Sequence, residues 1–420
     1  MPEPPFQNVP PQPPRLTDWL AGLRPPWAAS RRDATLTRTL YLHAGGPKAG
    51  SSALQAFLAI NAEGLAKQGV SYRLGRVVDR DDEITSGNAE RFYGLFHAGK
   101  ATDAVCAETI EGYFDGTNTA ICSSEMLASL DAKSWRRIRD ACLRQGIRPA
   151  VLFFVRDVAP YLRSSYHQAI KRAGYHDSFE AFLSTAEYGH VSSLRTLRSV
   201  FRGDELHVLH FDSVKSHLVE SFLDAIGLGD AGLEAGKGSQ PVNRGLTIEE
   251  ELLLREANQL AGDAYSQSIS DSILYAFPNR NVAAGIPESQ LGMIETRHGA
   301  DVRWINATFF EGRPVLAISA AEAVGERTVS AELMADTARH LLTWAIREMQ
   351  ASDERALQFL ISRINVQAAP PSSALDENVP SDFDPVRYLV LNLDVLRNGW
   401  NAFDHYYTHG RAEGRRYRDR

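Results

Sequence analysis

From Thr39 onward the chain alternates short apolar runs with longer stretches in which apolar residues recur every three or four positions. A parallel sheet with crossover helices leaves this pattern, because its strands are buried on both faces while each helix buries one side. Leu40 to His43, Thr119 to Cys122, Val151 to Val155 and Leu206 to Phe211 read as central strands. The first leads through a glycine-rich turn into a helix whose apolar face is Leu54, Phe57, Leu58 and Leu65, ending near Gly69. Ser134 to Gln145, Tyr161 to Lys171 and Leu218 to Ile226 read as later helices, so the alternation holds to about residue 230. The fold class expected is α/β, with a central parallel β-sheet and helices on both faces.

Gly236 to Gly245 reads as a loop through its glycines and Pro241, and the pattern beyond it turns helical. Ile248 to Leu260 and Ala331 to Met349 are the strongest stretches, with aromatic clusters at Tyr275 to Phe277 and Trp304 to Phe310 between them. These additions are expected to cover one edge of the sheet. Proline marks the outer boundaries. Residues 1–37 form a proline-rich leader, with Pro4-Pro5, Pro10-Pro11, Pro13-Pro14 and Pro25-Pro26 removing backbone donors and Trp19, Leu20 and Leu23 as a patch that can dock on the body. The main domain is expected over residues 38–367, a linker over 368–380 and a small helical module over 381–420, with no internal repeat.

Composition narrows the function classes. The 420 residues suffice for two or three domains, and a net charge of -7 leaves no global basic field, so a nucleic-acid partner is not expected and any polyanion site must be local. No apolar run is long enough to span a membrane and the N-terminus lacks a secretory pattern, so the expected location is the cytoplasm, with the periphery of the inner membrane as the other possibility. Cys106, Cys122 and Cys142 show no metal-type spacing and suit a reducing compartment.

The chemistry concentrates in His43-Ala44-Gly45-Gly46-Pro47-Lys48-Ala49-Gly50-Ser51-Ser52, between a strand and a helix. Glycines let the backbone approach an anion, a helix N-terminus offers unpaired N–H groups, and Lys48 with the Ser51 and Ser52 hydroxyls adds charge and donors. Nucleoside triphosphatases place lysine directly after the last glycine of such a loop. Lys48 instead precedes Gly50 by two residues, which disfavours an ATPase. A P-loop kinase for a small metabolite stays as an alternative, one that needs magnesium and a carboxylate to hold it.

Pro-Lys-x-Gly-Ser-Ser opening a helix resembles the 5′-phosphosulfate loop of sulfotransferases that use 3′-phosphoadenosine 5′-phosphosulfate (PAPS). Those enzymes also carry a strand ending in arginine, with a serine eight residues later, and the two hold the donor's 3′-phosphate. Val151-Leu152-Phe153-Phe154-Val155-Arg156 fits the strand, and Ser164 falls at that interval. A bacterial branch of the family is resembled further by His43 through Gln55, Asn61, Gly69-Val70-Ser71-Tyr72, Ser123-Ser124-Glu125, Trp304-Ile305-Asn306 and Phe309-Phe310, a likeness covering roughly residues 38 to 312. Two departures are Ala49, often threonine in the family, and Asp157-Val158-Ala159-Pro160, which lacks the usual Asn-Pro.

The resemblance implies a P-loop NTPase-like sulfotransferase fold and a transferase acting on a carbohydrate or glycolipid hydroxyl, with a non-catalytic nucleotide- or glycan-binding protein on the same scaffold as a further alternative. Gly46, Pro47, Lys48, Gly50, Ser51 and Ser52 are then the expected holders of the 5′ end, with Lys48 also the catalytic cation at the leaving oxygen. Arg156 and Ser164 are expected at the 3′-phosphate, and Lys237 and Arg244, in the late glycine-containing loop, as further contacts. No metal is required. Glu125 is the first choice of general base and His43 the second, since both stand at carboxyl ends of strands, where open α/β folds collect ligands. Structural alternatives exist for each: an ion pair with Asp157 for Arg156, a helix cap or ion pair for Glu125, a packed ring for His43, and a solvated connector for Lys237 and Arg244. Ser86-Gly87-Asn88 is a loop available to line an acceptor cleft, while Tyr161, Tyr166 and His167, on the helix of Ser164, read as core or as ligand contacts.

Phe383-Asp384-Pro385, Tyr388-Leu389, Asn392, Asp394-Val395, His405-Tyr406, Gly410 and Glu413-Gly414-Arg415 resemble a motif appended to bacterial glycosyltransferases and other surface-polysaccharide enzymes. That company favours a glycan acceptor, with exopolysaccharide among the candidates. Trp400, Tyr406 and Tyr407 are its aromatics, placed either to stack on sugars or to form the module's own core.

Overall fold

A computed structural model describes residues 36–73, 87–229, 233, 244–280, 286–318, 329–370 and 379–417. The leader up to residue 35 with Trp19, Leu20 and Leu23, then Ser86, Lys237 and residues 371–378 of the expected linker, lie outside the described residues. The four apolar runs are strands and a fifth joins them: β1 (Arg38–His43), β2 (Val70–Ser71), β3 (Thr119–Ser123), β4 (Ile147–Val155) and β5 (Leu206–His210). All pair in parallel, in the order β2-β3-β1-β4-β5. β2 escaped the sequence pattern because two residues carry no period. β4 begins four residues earlier than expected and keeps Pro149 within it. The Val151 N–H points at β5, donating to Glu205 at 2.7 Å, and Pro149 has the same parity. Pairing with β5 starts only at Val151, so the donor that Pro149 lacks faces a side with no paired strand among the described residues.

Residues of both parities are buried along the strands, Leu40, Leu42, Val151 and Phe153 on one face and Tyr41, Leu152 and Phe154 on the other, so both faces of the sheet are covered. The helices that position the candidate site are α1 (Ser51–Ile60), α2 (Val158–Arg172), α3 (Gly189–Val200), α4 (Leu218–Ala225) and α5 (Ile248–Ala261). α1 and α4 share one core with the sheet, in which Leu54, Phe57, Leu58 and Phe222 meet Tyr41, Ile121, Leu152 and Phe154. α5, Ser266–Ala276 and Glu288–Phe309, the additions expected to cover a sheet edge, pack on α2. That helix buries residues on several sides, Leu162, Tyr166, His167 and Ile170 among them, and needs the cover. Asn258 of α5 seals the contact by donating to Ile170 O at 2.8 Å and Tyr175 O at 3.0 Å.

The chain forms two compact units, divided between Met334 and Ala335. In the second, short helices over Pro385–Leu391, Leu393–Asn398 and Ala402–His405 enclose Tyr388, Leu389, Val395 and Tyr406. Ile364, from the helix Ala331–Gln367, and Phe383 pack on this core. Tyr406 is thus part of the module's core, whereas Trp400 and Tyr407 stand 46% and 45% exposed. Among the described residues no helix is long and apolar enough to cross a membrane.

Candidate functional site

Because the sheet is parallel, the loops that follow β1, β3, β4 and β5 leave it from one edge. The first is the glycine-rich turn. Gly45 and Gly50 take positive φ of 43° and 81°, and Lys48 takes φ 64°, a left-handed conformation uncommon outside glycine. Gly46 is a glycine for room: a Cβ there would stand 2.2 Å from Phe154 O and 2.8 Å from the His190 ring. α1 then begins on Gly50 with no side-chain cap and no acidic residue in its first turn. Among the described residues no side chain caps its first N–H groups, and the positive end of its dipole is left open. Ser51 Oγ is buried without a hydrogen-bond partner among the described residues, and Ser52 is exposed on the same turn. An orphaned buried hydroxyl at an uncapped helix start suits an anion that supplies the missing acceptor.

Arg156 is brought to this turn. Its Nη1 donates to Lys48 O at 2.9 Å, its guanidinium lies 5.5 Å from the Phe211 ring centre, and Nε is 3.7 Å from Asp212 Oδ1. The ion pair is thus with Asp212 and not with Asp157. Asp157 instead has Oδ1 3.1 Å from His210 Nε2 and accepts the Ala317 N–H at 3.1 Å, while Asp212 accepts the Asp157 N–H at 2.9 Å. Asp157, His210 and Asp212 bring metal-ligand atom types within 4.8 Å of one another. Arg156 and Lys215, the latter 3.9 Å from Asp212, already balance their charge, so the trio acts as a brace for Arg156.

Ser164, half-buried in α2, makes no side-chain hydrogen bond among the described residues. Seven residues on, and so about two helical turns along the same face, is Lys171. Lys171 is 4% exposed, and burial first, then Lys48 and Arg172, push its amine from 10.5 down to about 8. Lys48 is likewise shifted downward, chiefly by burial, with Glu125 opposing and Arg172 and Arg156 adding to the shift. Lys48, Arg156, Lys171 and Arg172 therefore form a cationic cluster. Lys171 and Arg172 were missed by sequence reasoning, because a lysine in the last turn of a helix reads as an ordinary response to the helix dipole.

Asp271 opposes the shift of Lys171 without cancelling it, and a buried cation held below its ordinary pKa costs stability with a sign that can be measured. Between pH 8 and 10.5 the unfolded chain keeps a proton on Lys171 that the folded chain has lost, so stability rises with pH across that window. Lys171→Met is expected to stabilise the protein at pH 7 by about 3 kcal/mol and by almost nothing at pH 10.5. Denaturant unfolding at the two pH values checks this.

Glu125 opens a short helical turn, Glu125–Ser129, capped by Ser124, whose Oγ accepts the Met126 N–H. A Cβ built on Gly45 would lie 3.3 Å from Glu125 Cα, so the carboxylate stands beside the turn. It is exposed and enters no ion pair or side-chain hydrogen bond among the described residues. His43 differs. It is fully buried, with Nδ1 2.8 Å from Ser123 Oγ and its ring edge-on to Phe154 and Phe222, and burial lowers its pKa to about 4. It is a packed core ring, out of reach of any solvent-borne hydroxyl.

Arg244 is also spoken for. Its fork grips Glu250 at 2.7 and 2.8 Å and its Nε donates to Phe277 O at 2.9 Å. Glu250, fully buried, also receives Arg280 at 3.1 Å and closes the capping box of α5 with Thr247. Arg244 therefore ties the start of α5 to Phe277 and has no fork left for a ligand. Glu250→Ala, which leaves two buried guanidinium groups facing each other, is expected to cost about 3–5 kcal/mol in equilibrium unfolding.

The remaining candidates are structural. Asn88 closes the end of β3, its Oδ1 accepting the Ser123 N–H at 2.7 Å and its Nδ2 donating to Ile121 O at 2.8 Å. Tyr161, Tyr166 and His167 are buried, with Tyr166 Oη donating to Asp177 O and His167 Nδ1 accepting the Leu246 N–H. The turn, Arg156, Lys171 and Glu125 thus gather at one edge, and Arg244 and His43 do not join them. No protein-family model matches the chain, and no curated protein matches it.

Proposed function

We propose that the protein is a sulfotransferase that moves a sulfuryl group from PAPS to a hydroxyl of a carbohydrate or glycolipid. The observation that supports this reading most is the 2.9 Å bond between the Arg156 guanidinium and the Lys48 carbonyl. Two motifs separated by more than a hundred residues, each suited to one phosphate of the same donor, meet at one sheet edge. The uncapped start of α1 and the orphaned Ser51 hydroxyl serve the 5′-phosphate, and Arg156 with Ser164 the 3′-phosphate.

In the reaction the acceptor oxygen attacks sulfur as the bond from sulfur to the bridging phosphate oxygen breaks, and that oxygen leaves with the electron pair. Lys48, in the positive field to which Lys171 and Arg172 contribute, balances the charge that grows there. Glu125 takes the acceptor proton, since it is exposed beside the turn and His43 is enclosed. Incubation with donor labelled in its sulfate, together with carbohydrate and glycolipid fractions, tests the reading. Label in an acceptor that disappears with Lys48→Ala supports it. Intact donor and no labelled acceptor in any fraction count against it.

A further inference from the structure

One residue touches both halves of the candidate site and belongs to neither motif. His190, near the start of α3, is fully buried, with rings of Phe153, Tyr161 and Tyr188 around it at centroid distances of 5.5, 4.7 and 5.3 Å. Its Nδ1 lies 3.2 Å from the Arg156 backbone N, and its Nε2 lies 2.9 Å from Pro47 O. These partners fix the tautomer. An amide N–H requires an acceptor, so Nδ1 is unprotonated, and a carbonyl requires a donor, so Nε2 carries the hydrogen. Burial, which lowers the pKa to about 4, keeps the ring in that neutral form at neutral pH.

The neighbouring residues complete the hold. Tyr188 Oη donates to Arg156 O, so both backbone groups of Arg156 are bound by one short segment. Gly189 between them has no room for a side chain, since a Cβ there would stand 2.9 Å from Tyr161 Oη. Gly46 has the matching need on the other side, where a Cβ would meet the imidazole at 2.8 Å.

We propose that His190 is a positioning residue that sets the distance between the glycine-rich turn and Arg156, so that the two act on one ligand carrying two phosphates. This rests on the donor reading above. A neutral imidazole spans the gap with one donor and one acceptor, which neither lysine nor a carboxylate can do. A ligand held at one end only gains little from a fixed spacing, whereas one held at both ends gains the whole benefit of not having to assemble the site.

The test measures adenosine 3′,5′-bisphosphate and adenosine 5′-monophosphate by calorimetry on the full chain and on His190→Ala, His190→Gln and His190→Asn. Glutamine can keep the donor to Pro47, and asparagine the acceptor for Arg156. His190→Ala is expected to lose roughly tenfold in bisphosphate affinity and about twofold or less in monophosphate affinity, with the Gln and Asn variants in between. Equal losses for the two nucleotides overturn the proposal. Hydrogen exchange of the ligand-free proteins separates this from the donor reading. Residues 44–50 and 154–158 are expected to exchange faster together in His190→Ala, with glutamine protecting the first segment and asparagine the second. If the unaltered chain binds neither nucleotide, the donor reading fails and exchange alone decides. Unchanged exchange in both segments then overturns the tie.

Discussion

Lys48→Ala is expected to lower turnover by roughly 10²- to 10³-fold while the protein stays folded, the loss typical when a donor to a developing negative charge is removed. On the proposed reading the lysine acts where the leaving oxygen gains charge, so the loss belongs in the catalytic rate more than in donor affinity. Its backbone makes the case cleaner. Lys48 sits at φ 64°, where any side chain costs about 1 kcal/mol relative to glycine. Lys48→Gly is therefore expected to be as inactive as the alanine variant and slightly more stable than the unaltered protein. Single-turnover kinetics with thermal unfolding reads both effects. A retained rate in either variant removes Lys48 from the chemistry. The downward pKa shift of Lys48 adds a direction: activity that needs the ammonium declines at alkaline pH below the range of a free lysine.

Arg156→Ala is expected to weaken adenosine 3′,5′-bisphosphate by about 2–3 kcal/mol, roughly 30- to 150-fold, because charge-assisted bonds to a phosphate are lost. The same change removes the bond to Lys48 O, so the 5′-monophosphate is expected to weaken several-fold as well. The difference between the two losses isolates the 3′-phosphate. Arg156→Lys restores charge but not the fork, and is expected to recover the monophosphate poorly, since one ammonium cannot hold the carbonyl and a phosphate in the same geometry. Competition titration of both nucleotides against the three proteins checks this. Equal losses for the two ligands place Arg156 in the frame of the site and not at the 3′ end.

How far the sequence carried this picture follows from which forces were local. The four main strands and the start of α1 were readable because apolar runs and glycines act over a few residues. Val70–Ser71 was not readable, since its pairing with β3 comes from the sheet and not from its own pattern. At the candidate site, the glycine-rich turn with Lys48 and Ser51 was legible from its own residues, and Arg156 was singled out only through the sulfotransferase resemblance. The fate of Arg244 was not legible, although Thr247 and Glu250 stand at capping-box spacing and could have pointed to Glu250 as its buried partner. Lys171 and His190 left no signal at all. Their roles depend on which groups the fold places beside them, Lys48 in one case and Pro47 with Arg156 in the other.

A calorimetric titration of the unaltered protein with adenosine 3′,5′-bisphosphate, run beside the 5′- and 3′-monophosphates, tests most directly whether one pocket grips a doubly charged nucleotide. The expected result is one site per chain and a preference of at least about tenfold for the bisphosphate over either monophosphate. Equal affinities for the three, or no bisphosphate binding at all, would contradict the shared pocket.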